Sequence, residues 1–389
     1  MILYMKGNLE NKRVAIIGGG PGGLTLARLL QLKGVDVKVY ERDINRDVRV
    51  QGATLDLHFE SGLKVMKAAN LLDSFKANYR PGADKGRVVD THAKIIYDEH
   101  DKESNEDFDD TMFRPEIDRG PLREMLLNSL KPNAVVWDSQ FKSMIQVEDT
   151  WILEFKNGTT ATADIVIGAD GANSKIRPFI TSIKSFYSGV TIIQGNVPDS
   201  ETSTPNIHQL LKGGKIYAYD GEKFLHVSSK GDGSLDFYVS CKKDENWIKN
   251  SGINFSDKAQ VIEWFKEEFS KWDPVWLELA ENVSLPLLLR PQYCMPLDQN
   301  WDTLPNLTIL GDAAHPMPPS GEGVNLAMLD SLELSECLTN GNFKDIHAAM
   351  EAYEKQMQAR AAQEAQESLE MTEWMHSEGA TERLMQMLS

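Results

Sequence analysis

Residues 13–42 read "RVAIIGGGPGGLTLARLLQLKGVDVKVYER", and the fold is decided there. "VAII" is a short β-branched run bounded by glycine, the pattern of a buried strand. "GLTLARLLQLKG" places apolar residues at helical spacing and stops at Gly34, a residue suited to close a helix. "VDVKVYE" alternates as a second strand. The spacing predicts one strand–helix–strand unit. Gly18, Gly20 and Gly23 form GxGxxG between the first strand and the helix. The first glycine permits a tight turn, and the second lets backbone approach a pyrophosphate at the positive helix end. The third lets the helix pack close to the strand. Alone the pattern is weak. With a strand on each side and an acid at Glu41, placed for a ribose hydroxyl, it specifies a dinucleotide site.

Composition narrows the rest. The chain has 389 residues, 41% hydrophobic and 25% charged, which is ordinary for a globular protein of two or three domains. A net charge of −17 repels a phosphate backbone, so nucleic acid is not expected as a partner. Three scattered cysteines without a CxxC argue for a reducing compartment and against a disulfide framework or metal site. No run approaches the roughly 18 apolar residues of a membrane span. "MILYM" is too short for a signal-peptide core. A cytoplasmic monomer is the expectation.

Further along, residues 80–112 are polar, with "DEHDKESNEDFDD" (98–110) reading as a solvated loop or hairpin turn. "ADIVIGADGANSKIRPFI" (163–180) reads as strand, turn and helix start. Its Asp170-Gly171 and Ser-Lys-x-Arg suggest a second phosphate or nicotinamide contact, or an ordinary turn. From 181 to about 290, short alternating runs such as "KIYAYDGEKFLHVSS" and "SLDFYVSCKK" predict an antiparallel sheet. "KAQVIEWFKEEFSKW" (258–272) is an amphipathic helix. The tail from Asp345 reads as one long helix strapped across both domains.

The third motif is "LTILGDAAHPMPPSGEGVN" (307–325). Asp312 ends a strand and can accept a hydrogen bond from a ribityl or ribose hydroxyl. Beyond the prolines, backbone N–H groups of "GEGVN" open a helix and could stabilise negative charge on a flavin ring. His315 reads as a packed loop histidine without a catalytic role.

The order GxGxxG, DG, GD resembles the flavoprotein aromatic hydroxylases over nearly the whole chain. Within them, "VAIIGGGPGGLTLARLLQ", "VYERD", "ATLDLH", "PEIDRGPLREMLLNSL", "VVWD" and "GDAAHPMPP" are similar to the tetracycline-inactivating branch of the class A FAD-dependent monooxygenases. The resemblance implies an α/β fold: an FAD-binding Rossmann-like domain, an antiparallel-sheet substrate domain and a long C-terminal helix. The FAD-binding domain would take 10–78, 114–180 and 290–344, the substrate domain 79–113 and 181–289, and the bridging helix 345–389. It places Glu41 and Arg42 at the adenosine, Arg49 at the reducing nicotinamide, and Asp56, Arg119 and Asp312 on FAD. Pro319, Gly321, Glu322, Gly323, Val324 and Asn325 form the flavin-facing loop. Gln194, Lys215, Tyr217, Asp236 and Tyr238 face the substrate.

The cofactor half matches more closely than the substrate half. Lys215 stands where the branch has an arginine, Asp236 where it has a histidine and Tyr238 where it has a glycine. Glu322 replaces a usual glutamine. A lysine lacks the planar fork of arginine, and a carboxylate only accepts hydrogen bonds. The expectation is therefore weak or absent turnover of tetracyclines. The activity implied is hydroxylation of a polycyclic or phenolic small molecule. Non-covalent FAD is reduced by a visiting NADPH, O2 adds at flavin C4a, and the hydroperoxide delivers OH. No catalytic acid or base and no metal is assigned. The alternatives are a flavin-dependent halogenase or reductase, and a non-catalytic FAD-containing binding protein.

Overall fold

The computed structural model describes residues 9–48, 52–102 and 106–388. The Val14–Ile17 run is buried at every position, as befits a strand flanked on both sides. It sits central in a five-stranded parallel sheet ordered 307–309, 165–168, 14–17, 37–40, 135–136. Helix Pro21–Leu32 leaves the first strand through the glycine turn and ends before Gly34, whose φ of 78° closes it. Helix Gly323–Thr339 packs across it, with Ser331 Oγ donating to the Gly22 carbonyl at 2.8 Å. A three-stranded sheet of residues 141–163 joins the same core, where Tyr40 stacks on Phe155 at 4.8 Å.

The second sheet has seven strands, ordered 284–294, 186–197, 235–242, 223–229, 215–220, 86–89, 95–98. Alternation divides it cleanly. Ile193, Ile216, Ala218, Leu225, Val227, Phe237 and Val239 are buried together with Val261, Trp264 and Phe265 of helix Lys258–Glu268. The residues between them make the opposite face, which carries the candidate site.

Two expectations need correction and two gain detail. The second sheet is not wholly antiparallel, because Lys215–Ala218 runs parallel to Gly86–Val89. Those last residues are a fully buried strand that pairs with Ile95–Asp98, so the polar region opens with a hairpin ahead of 98–110. The strand Ser284–Cys294 runs straight through the expected domain boundary at 289–290, since both its halves pair with 186–196. The C-terminal segment is two helices, Ile346–Met375 and Ala380–Leu388, broken where Gly379 takes φ 78°.

The longer of these helices does act as a strap. Asp345 caps it by accepting from Ala348 N at 2.8 Å. Tyr353 then donates to the Ile309 carbonyl of the parallel sheet at 3.1 Å. At its far end the His376 ring lies 2.8 Å from Ser240 Oγ on the second sheet. Among the described residues, no helix is long and apolar enough to cross a membrane.

Candidate active site

Three loops meet at the ends of the parallel strands. A Cβ on Gly18 would stand 2.3 Å from the Ala169 carbonyl, and one on Gly23 would stand 2.1 Å from the Gly18 carbonyl. Both glycines are therefore required by close packing. Gly20 differs: a Cβ there would meet nothing within 4 Å, so its backbone faces open space. Glu41 is buried beneath the loop, accepting from Gly19 N at 2.5 Å and from Asp43 N at 2.9 Å. Arg42 beside it is exposed, and Arg49 lies outside the described residues.

The Asp170-Gly171 loop has a structural task. The Asp170 carboxylate accepts from Ser174 Oγ and Lys175 N, each at 2.6 Å. Only one 3-10 turn, Arg177–Phe179, follows in place of the expected helix start. Without a helix there is no macrodipole to hold a phosphate at this loop. Arg177, unassigned by sequence, ties this loop to the next. It donates from Nε to Ala313 O at 2.7 Å and from Nη2 to Asp312 O at 2.9 Å and Ala172 O at 3.1 Å.

Asp312 is exposed, yet burial among protein atoms raises its carboxyl pKa, while His315, Arg119 and Arg177 pull it back. A reachable group that still loses solvation lies on the floor of a cleft. The loop around it is rigid. Asp330, fully buried, accepts from Gly311 N at 2.8 Å, lies 2.7 Å from His315 Nε2 and accepts from Arg360 at 2.6 Å. His315 is thus a packed histidine, whose pKa burial lowers but Asp330 raises by more.

The "SGEGVN" segment opens the helix from Gly323. Gly321 has φ 92°, and a Cβ on Gly323 would meet nothing within 4 Å. Like the helix after the glycine loop, this one has no side-chain N-cap and no acid in its first turn. Both positive ends are left to the cleft. Glu322 and Val324 are half-buried and Pro319 is exposed. The Asn325 side chain is turned inward. It is wholly buried, accepting from His58 N at 2.9 Å and Gly62 N at 3.2 Å and donating to Asp56 O at 3.0 Å.

The second sheet presents one rung to this cleft: Tyr217, His226, Tyr238 and Gln194 stand side by side in register. The His226 ring lies 4.9 Å from Tyr217 and stacks 6.0 Å from Tyr238. Burial and the Lys215 charge push the His226 pKa down to about 3, so it is neutral at physiological pH. Tyr238 Oη accepts from Ala53 N at 2.8 Å, pinning the sheet to the segment that leads to Asp56. Arg119 donates to the Ala53 carbonyl at 3.0 Å and acts electrostatically on both Tyr238 and Asp312.

One rung along, Lys215 is bonded to Glu116, which is 1% exposed. Burial would strip the Lys215 proton, but Tyr217, Glu116 and Asp56 outweigh it and raise the pKa. The lysine charge is therefore matched inside the protein. Asp236 shares a face with Tyr238, as alternation requires, and accepts from Asn196 Nδ2 at 2.7 Å. It lines a cavity of 110 Å³ with Gln194, Asn196, Lys230, Ser284 and Leu288. Gln194 is 3% exposed and its Oε1 has no protein donor; Ser228 Oγ is likewise buried without a partner.

Asp56, Arg119, Tyr217, Tyr238, Asp312 and Glu322 are thus gathered about one cleft, with Gln194 and Asp236 further along its wall. Glu41 and Arg42 lie at the glycine-loop end. His58, Glu116, Arg177 and His226 were missed. For His226 the signal was present in "KFLHVSS", whose alternation sets it in phase with Phe224 and Ser228.

A glycine-loop parallel sheet joined to a broad ligand-facing sheet defines a nucleotide-binding flavoprotein architecture. Residues 11–246, more than half of the chain, match the FAD binding domain family, so the chain belongs to that family and with it to the FAD-dependent monooxygenases. Monooxygenase penA of Penicillium thymicola is 26% identical over 374 residues, 84% of each chain. Klebsiella pneumoniae HpxO, solved with FAD and uric acid, superposes with a TM-score of 0.74 at 20% identity, covering 100% of this chain and 94% of that one. Tetracycline destructase Tet(51) gives 0.70 at 18% identity, covering 96% of each. At these identities the solved structures speak for the fold alone.

Proposed function

We propose that the cleft binds FAD non-covalently and that the enzyme hydroxylates an aromatic small molecule, with NADPH as a visiting reductant and O2 as co-substrate. The observation that carries the reading is the convergence at one cleft of an open Gly20, an accessible Asp312 and two uncapped helix ends. The second sheet, joined to this region through Tyr238 and Ala53, bears aromatic rings and unpartnered polar atoms. The residues present fit the cofactor. Gly18, Gly20 and Gly23 with Glu41 and Arg42 would hold its adenosine and pyrophosphate. Asp312 would accept from its sugar-like chain. Asp56, Arg119 and the segment from Pro319 through Gly321, Gly323 and Val324 would border its ring.

When bound, the flavin supplies the oxygen-transfer chemistry. The protein binds, orients and keeps water out. Tyr217, His226 and Tyr238 offer a continuous wall against which a planar ring can lie. Gln194 Oε1 and Ser228 Oγ call for polar groups on the substrate, because an unpaired buried acceptor costs about 1–3 kcal/mol. A phenolic O–H or amide N–H meets that need. Neutral His226 adds no charge to repel an electron-rich ring.

Within the class, the tetracycline-inactivating branch is the finer reading, but tetracyclines themselves suit the wall poorly. Lys215 is committed to Glu116, and the Tyr238 ring is pinned in place by Ala53. A simple phenol or smaller fused ring is the preferred substrate. No observation favours the halogenase or binding-protein readings. The test is a screen of phenols and tetracyclines for ligand-stimulated NADPH consumption, with mass spectrometry for a gain of one oxygen. Consumption unaffected by every aromatic ligand, with no oxygenated product, refutes the reading.

A further inference from the structure

His58 stands between two carboxylates that belong to different segments. Its Nε2 is 2.9 Å from Asp56 Oδ2 and its Nδ1 is 2.9 Å from Glu322 Oε1. A neutral imidazole has one N–H, and an ionised carboxylate only accepts. Both contacts are hydrogen bonds only when the ring is doubly protonated. Two like charges are thereby fastened across the join between the 55–63 segment and the loop that opens helix Gly323–Thr339. Asn325 fastens the same join with neutral hydrogen bonds to His58 N, Gly62 N and Asp56 O. The ionic fastener is undone when the ring loses a proton; the amide one does not titrate.

We infer that His58, as an imidazolium bridging Asp56 and Glu322, positions the Gly321–Gly323 loop for FAD and makes cofactor affinity fall when it loses its proton. The inference rests on the FAD reading above. His58 is a positioning residue, since nothing requires it to touch the cofactor. Deprotonation would turn one ring nitrogen's lone pair toward a carboxylate, and the loop beside the uncapped helix end would be pushed away.

The charged groups around the ring are Asp56 from its own segment, Glu322 from the loop and Glu364 from the strap helix. Lys215 acts on it through Asp56. Burial opposes the charge on His58, but the two carboxylates prevail and raise its pKa to about 9. The histidine pKa is raised on folding, so the bridge is fully present near neutrality and lost as pH rises through that value. Burial also works against charge on Asp56, yet its bond to His58 and the Lys215 charge keep it ionised.

The experiment titrates apoprotein with FAD between pH 7 and 9.5, following flavin fluorescence, for wild type, His58→Asn, Glu322→Gln and the double variant. Wild-type affinity should be flat to about pH 8 and fall several-fold by pH 9.5. Glu322→Gln can satisfy either state of the ring, so whatever its affinity at pH 7, that affinity should not fall between pH 8 and 9.5. His58→Asn should bind about tenfold more weakly at pH 7, and the double variant should return to within threefold of wild type. An alkaline fall retained in Glu322→Gln overturns the inference, as does a wild-type profile that stays flat. A His58→Asn protein that binds FAD like wild type overturns it too. Wild type that takes up no FAD at pH 7 refutes the FAD reading itself, a separate outcome.

Discussion

Removing the Asp312 side chain should weaken FAD without loosening the protein. The loop that carries it is held by its backbone: Gly311 N bonds to Asp330, and Arg177 binds the carbonyls of residues 312 and 313. The carboxylate takes no part in those bonds. Asp312→Ala should therefore leave apoprotein stability within about 0.5 kcal/mol of wild type, as expected for a side chain outside the packing. In the complex it would leave a buried hydroxyl donor unpaired, at about 1–3 kcal/mol. At tenfold per ~1.4 kcal/mol, the dissociation constant should rise about 5- to 150-fold. Asp312→Asn keeps an acceptor and should recover part of the loss. The assay is fluorescence titration of apoprotein with FAD, beside thermal melting of the same samples. Unchanged affinity in a folded variant refutes the reasoning, as does a melting temperature that falls in step with affinity.

Other perturbations separate binding from folding elsewhere. Gly23→Ala sets a Cβ against the Gly18 carbonyl and should lower the melting temperature, whereas Gly20→Ala should melt like wild type and lose FAD. Lys215→Met leaves Glu116 as a buried, uncompensated carboxylate, which should cost about 3–5 kcal/mol in chemical denaturation. Adding Glu116→Gln should restore most of it. Gln194→Leu should raise KM for a phenolic or amide substrate about 5- to 150-fold, the worth of one buried acceptor, with little change in kcat. Steady-state kinetics reads that split. Unmodified enzyme should turn over phenols and little or no tetracycline, and Tyr238→Gly should raise kcat/KM for a tetracycline. Efficient tetracycline turnover by wild type would show that Tyr238 does not set the limit.

What the sequence disclosed was local. The glycine loop, its flanking strands and Asp312 were legible because turn, helix start and acid lie within a few residues of one another. Alternation in "LDFYVS" correctly set Asp236 and Tyr238 on one face. What it hid was decided by distant partners. Lys215 looked free for substrate, but the fold sets the buried Glu116, from a different sheet, against its ammonium. Asn325 read as part of the flavin-facing loop, with no sign that its side-chain amide joins two segments remote in the chain. His58 sat inside a recognised stretch with no hint that Glu322 would reach its other nitrogen. Asp170 was open between a phosphate or nicotinamide contact and an ordinary turn while a helix seemed to follow, and only a single turn does. The break at Gly379 was passed over because the residues on both sides favour helix.

The most direct test of the central claim is the fate of molecular oxygen. Purified enzyme with FAD, NADPH and the best phenolic ligand from the screen is turned over under isotopically labelled O2, and the product is weighed. One labelled oxygen atom in the product for each NADPH consumed is the result expected of a monooxygenase built as described. A product whose added oxygen comes from water, or NADPH oxidation that yields only peroxide across the whole panel, would contradict it.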